Sequence, residues 1–126
     1  MADKTSRQSK RLLAHMTEAE LQNAVVDLAR LLGYLVHHSR PAQNRKGKWS
    51  TPIQGDAGFP DLCIAGKGRL LFVELKSEEG KMSVEQEVWR DELALASTWS
   101  ANKIRWVLWR PQNWVSGDIE RILKHG

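Results

Sequence analysis

Residues 58–76 read Gly58-Phe59-Pro60-Asp61-Leu62-Cys63-Ile64-Ala65-Gly66-Lys67-Gly68-Arg69-Leu70-Leu71-Phe72-Val73-Glu74-Leu75-Lys76. Apolar, β-favouring residues fill two arms around Gly66-Lys67-Gly68, the pattern of a β-hairpin. With Lys67-Gly68 as a two-residue turn, Gly66 faces Arg69, and counting outward along antiparallel arms sets Asp61 opposite Glu74. Opposed residues share a face, with Cβ atoms roughly 4.5–5.5 Å apart. Lys76, two residues beyond Glu74, points to the same side. A three-residue turn would send Asp61 to the other face unless a bulge restored it.

This register collects two carboxylates and an ammonium on one face of an otherwise apolar hairpin. Like charges opposed across a ladder destabilise it, and charges withdrawn from water need partners. A divalent cation would neutralise the carboxylates, and a hard cation such as Mg²⁺ takes oxygen ligands. Lys76 could then activate a water or steady an anionic oxygen. The plain alternative is an ordinary hairpin, with Asp61 a turn residue after Pro60 and Glu74 and Lys76 an exposed pair.

Upstream, Thr17-Glu18-Ala19-Glu20 has the form of a capping box, with Thr17 as N-cap and Glu20 reaching back. Leu21, Val25, Leu28 and Leu32 recur at helical spacing, and Gly33 ends the helix. The box occupies Glu20 and leaves Glu18 free. Glu18 and Gln22 share a partly apolar stripe with Val25, Ala29 and Leu32, so packing that stripe on a sheet would bring both toward the polar face of the hairpin. Tyr34 to His38 reads as a short strand, whose adjacent histidines point to opposite faces and form no chelating pair. Residues 39–57 are expected as a long loop. Its Arg40, Arg45, Lys46 and Lys48, interleaved with Trp49 and preceded by His38, suit a phosphate backbone and unstacked bases.

Downstream, Ser83-Val84-Glu85-Gln86 is a second capping box. Its helix carries Val84, Val88, Leu93, Leu95 and Ala96, with Trp89 and Leu93 on the side of Gln86, so Gln86 can cap and also face the hairpin. Lys103 to Trp109 is apolar at nearly every position, as in a strand covered on both faces. Asp118 is placed to cap a last short helix. Helices on either side of a central sheet make the expected class an α/β sandwich.

Composition sets the outer limits. The chain has 126 residues and 27% charged residues, enough for one globular domain with one core. We divide it into a basic arm at 1–16 and a domain at 17–126, with Lys4, Arg7, Lys10 and Arg11 of the arm available to phosphates. Cys63 is the single cysteine, which excludes an internal disulfide framework. No apolar run spans a membrane and the N-terminus has no apolar signal region, so the expected location is cytoplasmic. The net charge of +4 is a mild invitation to nucleic acid.

Pro60-Asp61 on one arm and Glu74-Leu75-Lys76 on the next resemble the signature of the PD-(D/E)xK nuclease superfamily. The ordered set Glu18-x-x-x-Gln22, His38-x-Arg40, Gly55-Asp56, Gly58-Phe59-Pro60-Asp61-Leu62, Glu74-Leu75-Lys76, Gly80, Ser83-x-x-Gln86 and Trp109-Arg110-Pro111 is similar to its VRR-NUC branch. The likeness covers about residues 17 to 124, although the Val-Arg-Arg string of the family name is not present. The resemblance implies a restriction-endonuclease-like αβββαβ sandwich, with a central mixed sheet flanked by helices, and Mg²⁺- or Mn²⁺-dependent cleavage of DNA phosphodiesters. It implies metal ligation by Asp61, Glu74, Leu75 and Glu18, water activation by Lys76 and an accessory role for Gln86. It further implies a homodimer acting on branched DNA in the manner of a Holliday-junction resolvase. Small free-standing members are typical of phages and prophages, which would place this chain in a host cytoplasm. The competing reading is a DNA-binding module of a recombination or packaging complex that no longer cuts.

Overall fold

The computed structural model describes residues 16–38, 42–43, 49–50 and 54–126. In chain order the elements are α1 (Glu18–Leu31), β1 (Leu35–His38), β2 (Ala42–Gln43), β3 (Trp49–Ser50), β4 (Leu62–Gly66), β5 (Arg69–Leu75), α2 (Val84–Trp99), β6 (Ile104–Trp109), α3 (Pro111–Val115) and α4 (Asp118–His125). Four strands form a mixed sheet in the order β1-β4-β5-β6. The first two pairings are antiparallel, and β5 runs parallel to β6. A parallel pair needs a crossover connection, and α2 supplies it.

The hairpin register runs from Gly66↔Arg69 to Leu62↔Val73. Lys67 and Gly68 have φ of 52° and 75°. Two successive positive φ values are those of a type I′ turn, whose twist matches that of the strands it joins. The two-residue turn is therefore the one formed, and continuing the register by one residue sets Asp61 against Glu74.

One face of the sheet carries the core. Leu62, Ile64, Leu71, Val73 and Leu75 are fully buried there, under Leu21, Val25 and Ala29 of α1 and Ile119 and Leu123 of α4. Each Leu or Ile so buried contributes about 1.5–3 kcal/mol. The capping box at the start of α1 is formed, with the Thr17 hydroxyl accepting from the Glu20 N–H at 3.1 Å. At the other end Gly33 adopts φ 93°, and the Tyr34 N–H returns to the Ala29 carbonyl at 3.0 Å. That is the αL termination that glycine favours.

Among the described residues the other face is thinly covered. Phe72, Trp106 and Leu108 are half-buried, and Phe59 meets Phe72 and Trp89 edge-on at centroid distances of 5.9 and 5.0 Å. No residue of α2 is fully buried. Its outward stripe of Val84, Val88, Leu95 and Trp99 is 72, 58, 57 and 88% exposed. Val84, Val88 and Leu95 belong to the apolar pattern that marks the helix in the sequence, yet they face solvent.

Two details differ from the sequence reading. Part of the expected 39–57 loop is a two-stranded ladder, β2 with β3, pairing Ala42 with Ser50 and Gln43 with Trp49. After β6 there are two helices rather than one. Pro111 starts α3 at the first helical position, where its missing N–H costs nothing. The N-cap of α4 is Gly117 at φ 84°, and Asp118 is already in the first turn, where its carboxylate accepts from Arg121. Among the described residues no helix is long and apolar enough to cross a membrane.

Candidate functional site

The β4–β5 ladder stops at Leu62↔Val73. One step further the Asp61 side chain takes over from the backbone, its Oδ2 accepting the Leu75 N–H at 2.7 Å. On the opposite side of β5, the Lys76 N–H donates to the Trp109 carbonyl at 3.1 Å. Backbone alternation then directs Glu74 and Lys76 away from the core face that holds Val73 and Leu75. Asp61, Glu74 and Lys76 converge at this end of the sheet.

Glu74 is the centre of the group. It is only 1% exposed, the single buried charged residue among the described ones. Its Oε1 accepts from Gln86 Nε2 at 3.0 Å and lies 3.9 Å from Lys76 Nζ. Its Oε2 is buried with no partner among the described residues. Burial pushes the Glu74 carboxyl up to about 9, helped by the Asp61 carboxyl beside it and by the charge of Glu18, while Lys76 pulls the other way. A buried carboxylate beside a second carboxyl is costly to ionise unless a cation neutralises it.

Gln86 reaches Glu74 because it also caps α2. Its Oε1 accepts the Ser83 N–H at 2.9 Å, and its backbone N–H donates to Ser83 Oγ at 3.1 Å. With the amide oxygen occupied by the cap, the NH₂ end is the one left to face the carboxylate. The first turn of α2 is brought in by Gly58. At φ 92° a Cβ there would stand 2.5 Å from the Glu85 carbonyl carbon and 2.7 Å from the Gln86 nitrogen, so only glycine permits this approach.

The helix carboxylate is Glu18. Glu20 is taken by the cap, where its Oε1 accepts from Thr17 Oγ1 at 3.0 Å. Partial burial raises the Glu18 carboxyl above the usual range, Asp61 raises it further and Lys76 lowers it. Glu18 therefore feels the site, but it does not complete a metal cluster of three: among the described residues no three His, Cys, Asp or Glu side chains are placed to hold one ion. The cause is α1 itself, which Leu21, Val25 and Ala29 seat on the opposite face of the sheet. Gln22, one turn on, places Nε2 3.5 Å from His38 Nδ1. Arg40, Arg45, Lys46, Lys48 and the basic arm lie outside the described residues.

Asp61, Glu74 and Leu75, the last through its backbone carbonyl, offer only oxygen donors, the kind that Mg²⁺ selects. The unpartnered Glu74 Oε2 also fits a missing positive partner. The sequence names Arg110 in a motif but gives it no role. Arg110 Nη1 donates to the carbonyls of Ser77 and Gly80, both at 2.7 Å, in the turn that follows Lys76. An arginine at the very end of a strand, before a proline, is the only local signal of that role. No family model, no curated protein and no solved structure matches this chain.

Proposed function

We propose that the chain is a metal-dependent DNA endonuclease with a restriction-endonuclease-like fold of the VRR-NUC type. The observation that carries this reading is the meeting of Asp61, Glu74 and Lys76, with one oxygen of the buried Glu74 left without a partner. An ordinary hairpin gains nothing from two carboxylates held together out of water, since each loses solvation and repels the other. The order α1-β1-β4-β5-α2-β6 supports the finer fold assignment.

Asp61, Glu74 and the Leu75 carbonyl would hold Mg²⁺ or Mn²⁺. The ion supplies positive charge for the scissile phosphate and a bound water of lowered pKa. Lys76 orients the attacking water and offsets negative charge as it builds on the phosphoryl oxygens. Gln86 keeps the Glu74 carboxylate in place, and Glu18 adds negative potential from the helix side. Arg40, Arg45, Lys46, Lys48 and His38 would hold the DNA backbone. Backbone contacts carry no base information, so selectivity should follow DNA structure.

Cleavage of labelled linear duplex, single strand, flap and four-way junction, in Mg²⁺, in Mn²⁺ and in EDTA, tests the reading. Metal-dependent scission, strongest on branched DNA, is the expected result. Binding to every substrate with no scission in either metal would replace the enzyme by a DNA-binding module.

The exposed stripe on α2 supports a homodimer. Two copies would each cover Val88, Leu95 and Trp99, which a monomer leaves in water. Light scattering should give twice the chain mass for wild type and a monomer for Leu95→Arg. A monomeric wild type would remove the dimer from the proposal.

A further inference from the structure

The turn that follows Lys76 is held by contacts that begin at Arg110. Arg110 Nη1 donates to the carbonyls of Ser77 at 2.7 Å, Gly80 at 2.7 Å and Glu78 at 3.3 Å. The turn is closed by the Gly80 N–H on the Ser77 carbonyl at 3.2 Å. It is tied a second time by Glu78 Oε1, which accepts the Gln112 N–H at 2.5 Å. Both ties come from the junction of β6 and α3. The Lys76 N–H is fastened to the same place, on the carbonyl of Trp109 at 3.1 Å.

The turn also bears on the Lys76 side chain. A Cβ at Gly80 would stand 3.4 Å from Lys76 Cδ and 3.1 Å from Ser77 Oγ. A methyl at position 80 would thus touch the Lys76 stem, whose side chain is 14% exposed and whose Nζ ends 3.9 Å from Glu74 Oε1. A lysine stem is intrinsically mobile, with four carbons and many rotamers. Without a wall on this side, water would offer the ammonium many other positions. All three bonds come from one guanidinium nitrogen, which the planar group holds in a fixed direction and farther from the backbone than a lysine ammonium would reach.

We infer that Arg110 is a positioning residue: its guanidinium holds the Ser77–Gly80 turn as the wall that fixes the Lys76 ammonium beside Glu74. The kinetic consequence rests on the nuclease reading, whereas the hold on Lys76 does not.

The full chain is compared as wild type, Arg110→Ala, Arg110→Lys and Gly80→Ala. The first readout needs neither DNA nor metal. It is the rate of acetylation of the Lys76 amine, resolved by peptide mass spectrometry, with the exposed Lys103 as internal reference. Lys76 should react severalfold faster in both Arg110 variants, and added guanidinium should slow it again in Arg110→Ala. The second readout is cleavage. The kcat should fall about 100-fold, the loss typical of a misplaced reacting group, with KM little changed. Guanidinium should restore part of it.

Equal Lys76 acetylation in all four proteins overturns the inference, whether or not DNA is cut. A loss confined to KM, or one that tracks melting temperature without guanidinium rescue, also overturns it. If the Arg110 variants do not fold, Gly80→Ala decides: its added methyl should alter Lys76 acetylation while every Arg110 bond remains, and an unaltered rate counts against the wall. A wild type that cuts nothing defeats the nuclease reading alone, because acetylation still reports on the turn.

Discussion

In Mg²⁺, the Lys76→Ala and Asp61→Ala proteins are expected to bind DNA as wild type does and to leave it uncut. Removing one preorganised group that stabilises developing charge costs about 10²–10³ in rate. Lys76 is the cation that borders Glu74. Asp61→Ala should cost at least as much, because it also removes the acceptor for the Leu75 N–H at the end of the ladder. Melting curves separate the two effects. Lys76→Ala should keep the wild-type melting temperature, whereas Asp61→Ala should lower it by the loss of one partly buried hydrogen bond, about 1 kcal/mol. Cleavage at the wild-type rate by either protein would remove these residues from the mechanism. The same two variants, assayed for binding in EDTA, show whether DNA affinity resides elsewhere on the surface.

Glu74→Gln should stabilise the metal-free protein at neutral and alkaline pH while abolishing cleavage. Glu74 is buried, with its carboxyl pushed up to about 9 in the folded chain. In the unfolded chain it titrates near the ordinary glutamate value of about 4.3. Between these two values the unfolded state releases its proton and the folded state retains it. Stability therefore falls as pH rises through that window, and below it Glu74 contributes no pH dependence. The total loss is on the order of a few kcal/mol. A glutamine side chain at this position would keep a similar shape and carry no charge. The variant's melting temperature in EDTA should therefore decline less between about pH 5 and about pH 9, roughly the span of the shift. Adding Mg²⁺ should raise the wild-type melting temperature by mass action, about 2.7 kcal/mol at 100 times Kd. It should do little for Glu74→Gln. Parallel pH profiles for the two proteins in EDTA would mean that Glu74 is ionised in the folded state at neutral pH.

The register of Asp61 and Glu74 was legible because the hairpin is a local object. Its turn lies between its two arms, so a count of residues from Gly66-Lys67-Gly68 set the register and brought Asp61 opposite Glu74. Gly68 adopts positive φ at no steric cost, and Lys67 joins it in the two-residue turn. The capping boxes were equally readable, because they close over four residues. The Thr17 box occupied Glu20, and Glu18 remained as the carboxylate near Asp61 and Lys76. The Ser83 box turned the amide of Gln86 so that its NH₂ end meets Glu74.

Sequence alone determined the hairpin and the two capped helices beside it, the face that each hairpin residue takes and the residue types of the acid-acid-lysine group. Tertiary structure decided how far that chemistry is isolated from water. The orphaned Glu74 oxygen, the approach of α2 over Gly58 and the grip of Arg110 on the turn after Lys76 depend on segments far apart in the chain. No local pattern encodes such contacts. The exposure of Val84, Val88, Leu95 and Trp99 has the same origin. Helical spacing shows that apolar residues share a stripe, but which stripe meets the sheet depends on the crossover from β5 to β6, and α2 turned its Gln86 and Trp89 side inward.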